Sequence, residues 1–256
     1  MKTRSKLLGL ALAIIIILSM LIIGFFQDSH SGTTNKKQQR LQKTSVENQS
    51  NALPKHTKLS DWQLLLVNKQ QPRTSEISFN KVTVDDKQID QRIARPLANF
   101  RASAKNAGYD TTLVSAYRSI AYQAEVYNTS LKQNEANGMN KESAKKLTES
   151  VIQTPGSSEH QTGLAVDLAG NDALAKYPNL VAQMDTFASQ QWLIKHASDY
   201  GFVLRYLADS KSIAQTGIDY ESWHFRYVGV INAKYMVQHH LTLEAYRDEL
   251  KKAAQK

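Results

Sequence analysis

Four side chains able to do chemistry together, His160, Asp167, Glu221 and His224, fall in two short stretches. These are Ser157-Ser158-Glu159-His160-Gln161-Thr162-Gly163-Leu164-Ala165-Val166-Asp167 and Glu221-Ser222-Trp223-His224-Phe225-Arg226-Tyr227. Two imidazoles and one carboxylate fill three corners of a zinc tetrahedron, and a fourth corner left to water marks a catalytic rather than a structural site. Glu221, close in sequence to the third ligand, is the candidate general base: it can take a proton from a zinc-acidified water and return it to a leaving amine. The residue types point to hydrolysis with one Zn2+ held by His160, Asp167 and His224.

The spacing says how these groups must be carried. His160 and Asp167 are seven residues apart, which does not suit neighbouring ligands on one continuous helix. It suits a loop that turns at Gly163 and enters a strand, with Leu164, Val166 and Leu168 on one face and Ala165 and Asp167 on the other. An Asp in such a segment is costly to bury unless it is paired or metal-bound. Taken alone, Asp167 also reads as a salt-bridged residue beside a turn. An extended backbone through Trp223 puts His224 and Arg226 on one face and Trp223, Phe225 and Tyr227 on the other.

The elements around these stretches mix helix and strand. Leu64-Leu65-Leu66-Val67 is a short apolar run that suits a buried strand. Pro96 fits the first turn of a helix whose inner face is Leu97, Phe100 and Ala104, with Gly108 as its stop. Thr111–Ala116 reads as a strand. Ser119 caps a helix carrying Tyr127 and Leu131 on one face, and Asn140 caps another through Ala144, Leu147 and Val151. Asp185–Tyr200 reads as a helix with Phe187, Trp192 and His196 near one face and Gly201 as its stop. Phe202–Tyr206 and Trp223–Tyr227 read as strands. Asn232–Ala254 is helical in composition and extends past the compact domain. The order predicts an α+β fold, helices packed around a small antiparallel sheet that carries the zinc site.

The 256 residues allow one domain with appendages. Residues 7–26 are 20 residues without a charge, and about 20 helical residues cross a hydrocarbon core of roughly 30 Å. Lys2, Arg4 and Lys6 precede them, so the positive-inside rule leaves residues 1–6 as a cytoplasmic stub and everything after the span outside. A cleaved signal peptide is the competing reading, but its apolar region is usually shorter and ends at a small-x-small site. Here the run is long and ends Gly24-Phe25-Phe26, which favours an uncleaved anchor. Residues 27–56 are polar and read as a flexible extracellular linker, leaving 57–256 as the domain that carries the zinc site, with its C-terminal helix. The expected location is the cell membrane, single-pass, with the catalytic domain at the cell wall. The absence of cysteine excludes disulfides, thiolate ligands and a lipoprotein anchor. The net charge of +9 reads equally as a solvated basic surface or as suited to an anionic wall or membrane surface, and without a basic-aromatic cluster nucleic acid is not expected as a partner. His56 lies in the linker, His196 reads as a core or surface side chain, and His239-His240 as an exposed pair that does not chelate one ion.

Ser158-x-His160-x-x-Gly163-x-Ala165-x-Asp167 followed by Glu221-x-Trp223-His224-x-Arg226-Tyr227-Val228-Gly229 resembles the zinc peptidase family of lysostaphin, D-Ala-D-Ala metallopeptidases and sonic hedgehog. Within it the chain is most similar to the VanY-type branch of D,D- and L,D-carboxypeptidases. Ser115-Ala116-Tyr117-Arg118-Ser119 with Gln123 matches a third motif of that branch, and the likeness runs from about Leu64 to Val230. The resemblance implies zinc on His160, Asp167 and His224, with Glu221 as base and acid. It implies that Arg118 holds the substrate carboxylate or polarises the scissile carbonyl, a task that suits its planar fork. Ser115, Gln123 and Ser158 would be polar contacts to the peptide, and Trp223 a pocket wall. Ser119 is better read as a helix cap, and Arg118 and Trp223 also have plain structural readings, as a surface ion pair and as core. The chain departs from the family pattern at Ser222, where many relatives carry proline, which bears on the loop shape beside the site.

The resulting expectation is a membrane-anchored zinc carboxypeptidase, a monomer, that removes the C-terminal D-alanine from peptidoglycan stem peptides. A pentapeptide substrate makes it a D,D-enzyme, the favoured subtype, and a tetrapeptide an L,D-enzyme. The alternative is a non-catalytic peptidoglycan-binding module on the same fold. The presence of Glu221 and all three ligands argues against it.

Overall fold

The computed structural model describes residues 52–255. The expected stub 1–6, the apolar run 7–26 and residues 27–51 of the expected linker lie outside the described residues. Among the described residues, no helix is long and apolar enough to cross a membrane.

A hairpin opens the fold: Lys81–Val84 (β1) pairs with Lys87–Asp90 (β2) through Asp85-Asp86. Both aspartates have positive φ, 47° and 62°, the two-residue turn that matches strand twist. Ala94–Asn106 (α1) follows, burying Leu97, Phe100 and Ala104 as its spacing predicts, with Gly108 beyond its end at φ 91°. Then come Thr111–Ser115 (β3), Ile120–Ala136 (α2) and Lys141–Val151 (α3). The caps are as expected: Ser119 Oγ accepts from the Tyr122 amide and Asn140 Oδ1 from the Ser143 amide. Ala165–Gly170 (β4), Asn171–Lys176 (α4), Ala188–His196 (α5), Phe202–Leu204 (β5), Ser210–Thr216 (α6), His224–Tyr227 (β6), Val230–Gln238 (α7) and Leu243–Ala253 (α8) complete the order.

The central sheet is antiparallel in the order β3-β4-β6-β5. Every residue of β4 is buried, because it is an inner strand covered on both faces. Leu164, Val166 and Leu168 meet the main core with Leu97, Phe100, Phe202 and Phe225. Phe100 stacks on Trp192, Tyr200 and Phe202 and meets Phe225 edge-on. Each large apolar side chain so buried contributes roughly 1.5–3 kcal/mol. Ala169, with the opposite parity, packs with Ala173 and Met184. Asp167 shares that parity. The alternation read from the sequence thus sends the apolar residues inward and leaves Asp167 for the site. The register does the rest: Asp167 stands opposite His224 on β6 and opposite Ser115 on β3. The α+β architecture with a small antiparallel sheet is the one expected.

Four local expectations need correction. Leu64–Val67 is buried apart from half-buried Leu65, but is not a strand: Trp62–Leu64 is a 3-10 turn. The carbonyls of Gln63 and Leu65 accept from the Arg226 guanidinium instead of from a neighbouring strand. The single helix expected over 185–200 is broken, with Phe187 extended at φ −89°, ψ 139° ahead of α5 and a separate 3-10 turn at Ala197–Tyr200 ending on Gly201. On α3 the buried residues are Ala144 and Thr148, whereas Leu147 and Val151 are exposed. The C-terminal region does not run past the domain. It breaks at His239-His240, with His240 at φ 50°, and α8 folds back to bury Leu243, Tyr246 and Leu250 in a second core with Leu64, Leu66, Val203 and Met236. Leu53, within the expected linker, and Leu59 are half-buried against that cluster.

Candidate active site

His160 lies on a 3-10 turn, Glu159–Thr162, that ends on Gly163 in the left-handed region at φ 69°. A Cβ at Gly163 would stand 2.5 Å from the Phe79 ring and 2.9 Å from the Asp90 amide nitrogen. Only glycine lets the chain turn there from His160 into β4. The His160 ring is fixed by Nδ1, 2.6 Å from the Ala116 carbonyl oxygen. Because a carbonyl only accepts, Nδ1 carries the proton and Nε2 offers its lone pair. That Nε2 lies 3.4 Å from Asp167 Oδ1. On the other side, His224 Nδ1 is 3.5 Å from the same Oδ1 and 3.2 Å from Glu221 Oε2.

These ligand atoms fit zinc. All three lie within 4.8 Å of one another on buried residues. His160 Nε2 and Asp167 Oδ1 are buried without a hydrogen-bond partner, a costly state for polar atoms in a protein interior. Zinc bonds of about 2.0–2.2 Å in a tetrahedron put neighbouring ligand atoms roughly 3.3–3.6 Å apart. The observed 3.4 and 3.5 Å separations match those edges.

The electrostatics suit the same use. Burial, helped by Arg118, pulls the metal-free His160 down to about 4, so the ring is neutral. Burial works against ionisation of Asp167, but His160, His224 and Arg118 hold its carboxyl below the ordinary range. Burial also disfavours a charged His224, but its hydrogen bonds to Glu159 and Glu221 outweigh this and push the ring up to about 9. Burial raises the Glu221 carboxyl, which brings a would-be base closer to neutral pH.

A cleft opens onto this cluster. Arg118, Gln123, Ser158 and Glu221 line it with His160 and His224. Arg118 lies in the loop between β3 and α2, its Nη2 3.9 Å from Asp167 Oδ2 and its Nε buried without a partner. Gln123, the one buried residue of α2, donates to the Gln153 carbonyl at 2.7 Å and leaves its own Oε1 unpartnered. Ser158 is buried at the cleft wall. Two expected contacts are placed elsewhere. Ser115 stands beside Asp167 in the sheet register but does not line the cleft. Trp223 packs against the Ala169, Ala173 and Met184 cluster rather than forming a cleft wall. Ser222 is fully buried, its carbonyl accepting from Gln190 Nε2 at 2.6 Å, which anchors the backbone between Glu221 and His224. His196 stacks on Trp192 at 4.5 Å, outside the cluster, and His240 pairs with Asp209 at 3.0 Å.

Sequence reasoning missed a buried charged group behind His224. Glu159 Oε1 is 3.0 Å from His224 Nε2, and its Oε2 accepts from Arg205 Nε at 2.9 Å and Arg226 Nη1 at 3.0 Å. Burial opposes its charge, yet the two arginines hold the carboxyl well below its usual range. Tyr206, packed edge-on against His224 at 4.8 Å, was missed too. The one available signal was Arg226 on the same strand face as His224.

Comparison with known proteins shows the family. The family model described as VanY, D-alanyl-D-alanine carboxypeptidase, matches residues 86–230. A D-alanyl-D-alanine carboxypeptidase of Enterococcus faecalis is 32% identical over 187 residues, covering 73% of this chain and 66% of that relative, just under two thirds of its length. A bifunctional D-Ala-D-Ala dipeptidase and carboxypeptidase, VanXYC, of Enterococcus gallinarum is 36% identical over 146 residues, 55% of this chain and 68% of that relative. Among solved structures, a variant of the vancomycin-resistance D,D-pentapeptidase VanY from a VanB-type cassette, in complex with Zn(II), superposes with a TM-score of 0.64. It is 30% identical and covers 73% of this chain and 99% of its own. The L,D-carboxypeptidase DacB from Streptococcus pneumoniae gives a TM-score of 0.54 at 31% identity, over 71% of this chain and 84% of its own. With the fold, the motif residues and the family match in agreement, this chain belongs to the VanY D-alanyl-D-alanine carboxypeptidase family.

Proposed function

We propose that this protein is a zinc carboxypeptidase that removes the C-terminal D-alanine from peptidoglycan stem peptides. The observation that carries the proposal is the convergence of His160 Nε2, Asp167 Oδ1 and His224 Nδ1 beside Glu221 and Arg118 in one cleft. The three ligands would hold one zinc ion, which when bound supplies a Lewis acid and lowers the pKa of water to near 7. Glu221 Oε2 is within reach of the same corner and takes the proton of the attacking water, then delivers it to the departing amine. Arg118 presents a buried, unpaired Nε and a fork loosely engaged with Asp167. It can turn that fork to the substrate carboxylate or to the oxyanion as charge develops. The Gln123 side chain and Ser158 are the polar groups available to the peptide backbone.

Relatives of both subtypes exist, a D,D-enzyme and an L,D-enzyme. We favour the D,D-reaction on a pentapeptide, as the broader class. We further propose that residues 7–26 anchor the protein in the cytoplasmic membrane and place the site outside, facing the wall. Lys2, Arg4 and Lys6 before an uncharged 20-residue run support this. The test is to incubate the zinc-loaded chain with defined tetrapeptide and pentapeptide stems and read the released masses. D-alanine from the pentapeptide alone assigns the D,D-subtype, and from the tetrapeptide alone the L,D-subtype. No release from either, with zinc bound, contradicts the proposal.

A further inference from the structure

We infer that Glu159 is a positioning residue for the metal ligand His224, and that Glu244 on the terminal helix α8 acts on the same ligand through Arg205. The inference rests on the zinc reading above. Glu159 has no access to solvent, and both its oxygens are used: one faces the His224 ring and the other accepts from two guanidiniums. A buried carboxylate stays ionised only when paired, and here two arginines pair it. An ionised carboxylate accepts and cannot donate. When the ring gives up its second proton, the one it keeps must therefore sit on Nε2, and the Nδ1 lone pair then points at the corner shared by Asp167 and Glu221. The fixed tautomer is the one that ligation through Nδ1 requires.

The clamp continues outward. Arg226 Nη2 donates to the carbonyls of Gln63 at 3.0 Å and Leu65 at 2.7 Å, which ties it to the irregular segment before β1. Arg205 sets its fork on Glu244, Nη1 to Oε2 at 3.0 Å and Nη2 to Oε1 at 2.7 Å, and Asn68 Nδ2 donates to Oε1 at 3.0 Å. Arg205 side-chain exposure is 1% and that of Glu244 15%. Bidentate pairs of this kind fix direction as well as distance. The orientation of one metal ligand thus depends on a helix that contributes no residue to the cleft.

The test measures zinc affinity of the full chain by competition with a chromogenic chelator, with no peptide present. Glu159→Gln is expected to weaken zinc binding about 10- to 100-fold while circular dichroism keeps its native form. In the zinc-loaded protein, the nitrogen NMR signature of a protonated His224 Nε2 held by a carboxylate should be altered. Glu244→Gln is expected to weaken zinc roughly 2- to 30-fold. The double variant should lose no more than Glu159→Gln alone, because the second residue acts through the first. Native zinc affinity and an unchanged His224 signal in folded Glu159→Gln overturn the inference, and additive losses overturn the role of Glu244. Should Glu159→Gln not fold, undiminished affinity in Glu244→Gln overturns it. A wild-type chain that binds no zinc overturns it together with the reading on which it rests, whereas zinc binding without peptide cleavage removes the proposed substrate and leaves this inference standing.

Discussion

Replacing Glu221 with glutamine separates the metal from the proton. The Glu221 side chain is 8% exposed, with Oε2 3.2 Å from the His224 ring nitrogen that faces the metal corner. Glutamine keeps the size and an acceptor oxygen, so the cluster of His160, Asp167 and His224 should still bind one zinc. What is lost is basicity at a carboxylate that burial has raised toward the working pH. General-base catalysis is worth about 10²- to 10⁴-fold, or roughly 3–5 kcal/mol in the barrier. The expected result is a fall of that size in kcat with little change in KM, since Glu221 acts only as the proton moves. The assay is D-alanine release by mass spectrometry on samples whose zinc content is measured in parallel. Stoichiometric zinc with kcat within tenfold of the native value would remove Glu221 as the base. Loss of zinc along with activity would instead make it a ligand or a structural member of the cluster.

Three more outcomes follow from the same geometry. Arg118→Ala should lower kcat/KM about 10²- to 10³-fold, as for loss of one oxyanion donor, and Arg118→Lys should restore only part, because an ammonium lacks the planar fork; steady-state kinetics with a defined stem peptide check both. Zinc affinity should fall with acidity: metal-free His224 holds its proton below about 9 and ligation through Nδ1 must displace it. One displaced proton gives about a tenfold loss per pH unit, steepening as His160 gains its proton near 4; a chelator titration that is flat from pH 6 to 8 would contradict this. Gly163→Ala must place a Cβ against Phe79 and the Asp90 amide at φ 69°, so it should cost at least ~1–3 kcal/mol in a urea unfolding experiment and weaken zinc by moving His160.

The sequence exposed the candidate site because short-range features carry it. Gly163, the alternation of Leu164 to Leu168, and Glu221 three residues before His224 each say how a side chain is aimed, and the sheet register places Asp167 against His224 as those patterns require. Ser119 and Asn140 were legible as caps for the same local reason. The support behind the ligands was not legible, because it is built from partners far apart in sequence: Glu159 with Arg205 and Arg226, and Arg205 with Glu244. Nothing local marks a glutamate next to a histidine as a buried anion. Leu64–Val67 misled because burial and apolar composition do not tell a strand from an irregular segment whose carbonyls are taken by an arginine. Leu147 and Val151 misled for the converse reason: helical spacing predicts a common face but not whether anything covers it. The terminal region read as free of the domain because its apolar face is sparse, yet Leu243, Tyr246 and Leu250 suffice to dock it.

The most direct test of the central claim is anomalous diffraction at the zinc edge from crystals of the zinc-loaded protein. One zinc peak bonded to His160 Nε2, an Asp167 carboxylate oxygen and His224 Nδ1 at about 2.0–2.2 Å, with Glu221 beside it but outside the bonded set, is the predicted result. A peak elsewhere, or ligation of His224 through Nε2 with Glu159 displaced, would contradict it.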